Sequence, residues 1–360
     1  MKPSLTKKLV AMAANPIILA PVATIVVATA TMHVNDLRVF WVNSWQELKG
    51  PKALACALPP ELPTSAAEPP APTQAKPKRL AVYYNFTSAN GSKCHLVVVD
   101  GNSQRFVFEP YLFAKTGTTS AALNKTHALA ATNGGYFTPP TDQSAGFVVL
   151  NEVLVADPRN NGEIARSRKV KPYLKQIFNR SELRVLQDDN LQLGYQIAAH
   201  NSALPANYHL LNSLQAGPCL LPKVTAYEEA FIRKDPDNGR VVDVIGTREN
   251  RPRTAFGITP DGHLLLLCVA GKEDQSGSPG MNLQAVADLL KMLGCVQAVN
   301  LDGGHSTTMV VDSCGGMSTG STKSTCPHSV CSAYPQTQVK SVLLLVPYLP
   351  ASKTDNDWPR

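Results

Sequence analysis

Residues 298–311 read AVNLDGGHSTTMVV. An apolar run carrying Asn300 ends at Asp302, two glycines follow, and His305, Ser306, Thr307 and Thr308 lead into a second apolar run. Glycine populates positive φ freely and lets other groups approach the backbone, so Gly303 and Gly304 mark a tight connection between two predicted strands. Asp-Gly is also the strongest short hairpin signal, and an aspartate there can simply bond its own backbone. A second stretch weighs against a turn of convenience. Residues 128–137 read ALAATNGGYF, another apolar run closed by a polar residue and two glycines. Two such corners, each closing a strand, point to a shared site.

Working outward, strand patterns dominate. LAVYYNF (80–86), HLVVVD (95–100) and RFVFE (105–109) are β-branched or aromatic runs separated by Gly, Asn and Ser. GFVVL (146–150) and VLVA (153–156) flank Asn151-Glu152 as a predicted hairpin, and HLLLLCVAG (263–271) and SVLLLVPYL (341–349) are dense strands. In LLNSLQAGPCLL (210–221), Gly217-Pro218 is a turn and Gln215 a candidate buried polar residue. A short helix is predicted over 118–127. The clearest helix covers 282–294, with Asn282 as N-cap, Leu283, Val286, Leu290 and Leu293 on one face, and Gly294 as its stop. Residues 157–195 are polar and mixed, and their charges read as a solvated face.

The first 79 residues differ in kind. Three lysines within residues 1–8 precede a charge-free, mostly apolar run over 9–35, long enough to cross a bilayer. Residues 1–35 are therefore expected to be an uncleaved membrane anchor with its N-terminus in the cytoplasm. The alternative is a cleaved signal with Ala28-Thr29-Ala30 as its site. Either way the body is exported, to a periplasmic or extracellular face. Residues 36–79 form a linker, with seven prolines between 57 and 79 making it an extended spacer. The globular domain is expected over 80–350, with a flexible tail over 351–360. Of the net charge of +7, nine basic and four acidic residues precede Leu80, so the body is nearly neutral. With no basic, aromatic-lined stripe, nucleic acid is excluded as a partner. Among eight cysteines none forms a CxxC pair. Cys268 and Cys295 read as buried hydrophobes, and a disulfide or, less readily, a zinc site with His328 is open to Cys314, Cys326 and Cys331.

The pieces NGGYF (133–137), QAGPCLL (215–221), RPRTAFGIT (251–259) and NLDGGHSTTM (300–309) resemble the phosphodiester glycosidase family, in that order along the chain. One departure stands out: His305 occupies a position that is glycine in the familiar form of the last motif. The resemblance implies an α/β, α+β-like body with a mixed central sheet flanked by helices, and hydrolysis of a sugar-1-phosphodiester. The substrate would be an envelope or extracellular glycan or glycosyl phosphate. Ordinary glycosidases use two carboxylates, but a phosphomonoester leaves readily, so one carboxylate and an arginine can suffice. Asp302 is then assigned to activating water or stabilising the oxocarbenium-like C1, Arg253 to neutralising the diester, and His305 stands beside them as a third catalytic candidate. Asn133, Thr254 and Ser306 would hydrogen-bond sugar or phosphate, and the amides of Gly134, Gly135, Gly303 and Gly304 would form anion-binding concavities. No cofactor is expected, although the sequence leaves open a divalent cation beside Asp302. Two other functions stay open: a non-catalytic exported glycan-binding domain, and another cell-wall hydrolase using the same pocket.

Overall fold

The computed structural model describes residues 25–28, 80–272, 277–312, 328–332 and 336–348. Apart from Ile25–Ala28, the expected anchor and linker lie outside the described residues, as do Cys314, Cys326 and the tail. Among the described residues no helix is long and apolar enough to cross a membrane.

Strand alternation builds the framework. In His263–Val269, Leu264, Leu266 and Cys268 enter one core while Leu265, Leu267 and Val269 enter another. A strand buried on both faces must be central, and it is. The first sheet runs in the order Ile25–Ala28, Ala81–Thr87, Lys93–Asp100, His263–Val269, Arg253–Ile258, Gln297–Asn300, Cys219–Leu221. A second sheet orders Leu193–Ala199, Ser181–Asp188, Tyr208–Gln215, Val148–Leu150 and Val153–Ala156. A third orders His328–Ser332, Thr308–Val311, Ala130–Asn133, Val339–Pro347 and Phe106–Gly117. One core is common to all three: Val97, Phe256 and Leu266 from the first meet Leu183 and Leu214 from the second, and Phe108, Met309 and Leu343 from the third.

The helix expected over 282–294 forms as Leu283–Met292. Asn282 caps it by accepting the Ala285 amide at 2.8 Å, and Gly294 follows at φ +91°. Its apolar face covers the outer side of the first sheet, where Leu290 is fully buried. Emptying that position to alanine would cost about 2–5 kcal/mol. A shorter helix, Thr119–Thr126, covers the third sheet through Ala122 and Leu123.

The expected α+β-like body, a mixed central sheet flanked by helices, is met in part. The protein is mostly β, with few helices. Adjacent strands such as Ala81–Thr87 with Lys93–Asp100, and Arg253–Ile258 with His263–Val269, are joined by tight turns, which can link only antiparallel neighbours. Among the described residues, parallel pairing is confined to Ile25–Ala28 beside Ala81–Tyr84. The Leu283–Met292 helix serves a true crossover. It links His263–Val269 to Gln297–Asn300, which lie on either side of Arg253–Ile258. The 157–195 segment is corrected. It contains a strand, and its Arg180, Glu182 and Arg184 are buried rather than solvated. Arg184 and Glu182 match each other's charge: Arg184 Nε donates to Glu182 at 2.7 Å, and its Nη2 donates to the carbonyls of Ala199 and His200.

Candidate active site

The glycine-paired corners meet. Strand Gln297–Asn300 belongs to the first sheet and Thr308–Val311 to the third, so residues 301–307 bridge two sheets and the Asp-Gly pair is not a hairpin turn. Ala130–Asn133 lies beside Thr308–Val311 and delivers Asn133 to the crossing point. Asn133 is fully buried and ties three segments together. Its Nδ2 donates to the Asp302 carbonyl at 2.6 Å, 169 residues along the chain. Its Oδ1 accepts from Thr254 Oγ1 at 2.8 Å and from the Thr308 amide at 3.1 Å. The Asp302 amide returns a hydrogen bond to the Gly134 carbonyl at 3.0 Å. Glycine is required here by contact and by conformation. A Cβ on Gly135 would lie 2.7 Å from the Gln215 carbonyl oxygen, and Gly304 sits at φ +61°.

Asp302 is partly exposed at this crossing. Burial pushes its carboxyl up to about 6, opposed by hydrogen bonds from the Ser306 hydroxyl and the Gly303 amide. The amide lies 2.9 Å from Oδ1. A carboxyl ionising near 6 can take a proton from water at neutral pH and hold one in mild acid. Beside it, the Tyr136 hydroxyl shares its proton between the carbonyls of Gly217 at 3.0 Å and Leu301 at 3.3 Å, and accepts from Asn300 Nδ2 at 2.7 Å. Burial first, and then the charge of Asp302, raise the Tyr136 phenol, so it stays protonated. His305 is exposed on the short turn Gly304–Ser306.

The sequence-derived candidates come together, but several are engaged by the protein itself. Arg253 is only 2% exposed. Its Nε donates to Met281 O at 3.0 Å, Nη1 to Ile245 O at 3.0 Å, and Nη2 to Gly246 O at 2.5 Å and Glu249 O at 3.0 Å. Four carbonyls therefore hold the guanidinium expected to meet phosphate, and its place is that of a clamp for the 245–249 loop. Thr254 is buried with its hydroxyl on Asn133. The amide concavities are likewise filled from within: Gly134 N donates to Ser341 O, Gly135 N to Ser341 Oγ, Gly303 N to Asp302 and Gly304 N to Pro252 O. Asp302 and His305 remain accessible, buried Ser306 bonds the Asp302 carboxyl, and the others fix their geometry. Other carboxylates considered from sequence also have partners: Glu152 faces His209 at 3.2 Å, Glu249 takes Arg251 and Asp261 takes Thr259. Glu273 and Asp274 lie outside the described residues. Among the described residues there is no group of three or more His, Cys, Asp or Glu side chains able to hold a metal ion.

Sequence reading missed the flank built by Arg180, Glu229 and Phe231. The Arg180 side chain lies over the Phe231 ring, 3.7 Å from its centroid, and donates from Nε to the Glu229 carbonyl at 3.1 Å. Burial draws its guanidinium down to about 10, so it remains a cation at neutral pH. Gln215, already marked as a buried polar residue, holds this segment: Nε2 donates to Phe178 O at 3.2 Å and to Arg180 O at 3.1 Å. Nothing local in the polar 157–195 stretch signals that one arginine would be buried beside a residue 49 positions further on.

A phosphodiester glycosidase family model matches residues 126–339. The chain is 31% identical over 191 residues to N-acetylglucosamine-1-phosphodiester alpha-N-acetylglucosaminidase of Bos taurus, covering 51% of this chain and 31% of that protein. Among solved structures, the catalytic domain of the zebrafish enzyme of the same name, auto-inhibited by its pro-peptide, aligns with TM-score 0.49 and 19% identity. That alignment covers 74% of this chain and 82% of that one. A protein from Synechocystis aligns with TM-score 0.49 and 14% identity, over 73% of this chain and 63% of that one.

Proposed function

The chain belongs to the phosphodiester glycosidase family, and from that premise we propose that it hydrolyses the glycosidic bond of a sugar-1-phosphodiester, with Asp302 as its acid–base group. The observation that carries this reading is the meeting of Asn133 and Asp302, which sets a carboxyl of raised pKa, still open to solvent, at the junction of two sheets. Above pH 6 the ionised carboxyl accepts a proton from water as the water oxygen bonds to C1. The C1–O bond breaks with its electron pair leaving on the phosphate oxygen, and the products are free sugar and a phosphomonoester. The same carboxylate faces the positive charge that develops at C1. Ser306 fixes the carboxyl through its hydroxyl, and Tyr136, held by Asn300 and two carbonyls, walls the site.

The substrate in this reading is an envelope or extracellular glycosyl phosphate, reached because the apolar N-terminal run exports and tethers the body. The test is to incubate the purified chain with a panel of methyl glycosyl-1-phosphates, that of N-acetylglucosamine among them, and to assay free sugar. Sugar release that disappears with Asp302→Asn supports the reading. Saturable binding with no product would instead identify a glycan-binding domain.

A further inference from the structure

The proposed reaction needs a cation for the phosphodiester, and Arg253, held by four carbonyls, is ill placed to supply it. Arg180 is built differently. It is 7% exposed, yet only Nε is bonded to the protein; among the described residues its two terminal nitrogens donate to no acceptor. The rest of the side chain is immobilised. One face of the guanidinium rests on Phe231, the Nε edge is fixed by the Glu229 carbonyl, and the Arg180 backbone carbonyl accepts from Gln215 Nε2 at 3.1 Å and the His200 amide at 3.2 Å. The nearby Glu229 carboxylate does not neutralise it by direct contact. That carboxylate accepts from the Ser181 amide and hydroxyl, the Cys219 amide and the Thr225 hydroxyl.

Its surroundings lead to Asp302. Glu229 packs against Gly217 so closely that a Cβ there would overlap its carboxylate. The Gly217 carbonyl takes the Tyr136 hydroxyl, which is also bonded to the carbonyl of Leu301, the residue before Asp302. Phe231 completes the circuit, its ring centroid 5.4 Å from that of Tyr136. The motif residues Tyr136, Gln215 and Gly217 therefore link the two, and the Tyr136 phenol feels the charges of both Asp302 and Arg180.

We propose that Arg180 is the phosphodiester-binding residue of this site, its terminal nitrogens donating to the two non-bridging oxygens of the substrate while Asp302 serves C1. This rests on the sugar-1-phosphodiester reading given above. A buried guanidinium whose terminal nitrogens have no acceptor is costly to fold around, and an incoming oxyanion supplies the missing acceptors. Its planar fork matches two phosphate oxygens, and partial exclusion of water strengthens the pairing. The stack on Phe231 and the bond to Glu229 O leave the terminal edge as the side available to a ligand.

The test uses the full chain, Arg180→Met, which keeps the stem, and Arg180→Lys, which keeps the charge without the fork. Each is assayed with the methyl glycosyl-1-phosphate cleaved fastest by wild type and with the neutral 4-nitrophenyl glycoside of the same sugar. The expected result is that the ratio of kcat/KM for the phosphodiester to that for the neutral glycoside falls about 100-fold in Arg180→Met, and less in Arg180→Lys. An unchanged ratio overturns the proposal, whether both activities fall or neither does. Calorimetric titration with dimethyl phosphate separates the two levels of inference. If wild type cleaves nothing, the hydrolase reading fails, but wild-type binding lost in a folded Arg180 variant still supports the anion site. Equal binding by wild type and variant, or none by wild type, removes it. If Arg180→Met does not fold, Arg180→Lys carries both measurements.

Discussion

Replacing Asp302 with asparagine should make the protein more stable at pH 8 and leave its stability unchanged at pH 4. The folded carboxyl ionises near 6, against an ordinary value of 3.8. The folded state therefore holds its proton to higher pH than the unfolded chain does. Stability from this group is full below about pH 4 and is lost as pH rises through 6. That difference corresponds to about 3 kcal/mol at pH 8, an upper bound because the carboxyl is partly exposed to water. Asparagine keeps the shape and an acceptor for the Gly303 amide without the charge. For a body of this size the gain amounts to roughly 6–12 °C in Tm. Calorimetric scans of wild type and Asp302→Asn at both pH values read it directly, and free-sugar assays on the same samples should show turnover down by about 10² or more. A variant no more stable than wild type at pH 8, or equally stabilised at pH 4, would refute the claim that burial raises this carboxyl.

Three further outcomes follow from the same geometry. Asn133→Ala removes hydrogen bonds to Thr254, Thr308 and Asp302 from a fully buried position, and should lower stability by about 3 kcal/mol in urea melts and abolish sugar release. Arg253→Lys cannot serve four carbonyls with one ammonium. It should cost about 3 kcal/mol in the same assay, with little effect on the preference for phosphodiester over neutral glycoside. The pH dependence of kcat/KM should fall below about pH 6, roughly tenfold per pH unit, because Asp302 must be ionised to take the proton from water.

The local elements were legible because their signals are local. Alternation in HLLLLCV marks a strand buried on both faces, Asn282 and Gly294 bracket a helix, and Asn151-Glu152 turns at positive φ within its hairpin. The twin glycine pairs also carry the convergence of Asn133 with Asp302, since backbone must approach backbone there. Sheet membership was not legible. Residues 297–300 and 308–311 look like the arms of one hairpin, yet pair with strands more than a hundred residues apart in different sheets. The two arginines show the same limit more sharply. Arg253 sits in a motif that invites a phosphate role, but Met281 and the 245–249 loop supply its acceptors. Arg180 sits in a polar stretch resembling surface, and only Phe231 and Glu229, brought in from afar, make it a buried cation. Composition in a short window cannot register acceptors delivered by the fold.

The most direct test of the central claim is hydrolysis of a methyl glycosyl-1-phosphate in ¹⁸O-water. Attack at C1 beside Asp302 predicts label in the anomeric hydroxyl of the released sugar and none in the methyl phosphate. Label in phosphate would mean that the P–O bond is the one cleaved, contradicting the glycosidase mechanism.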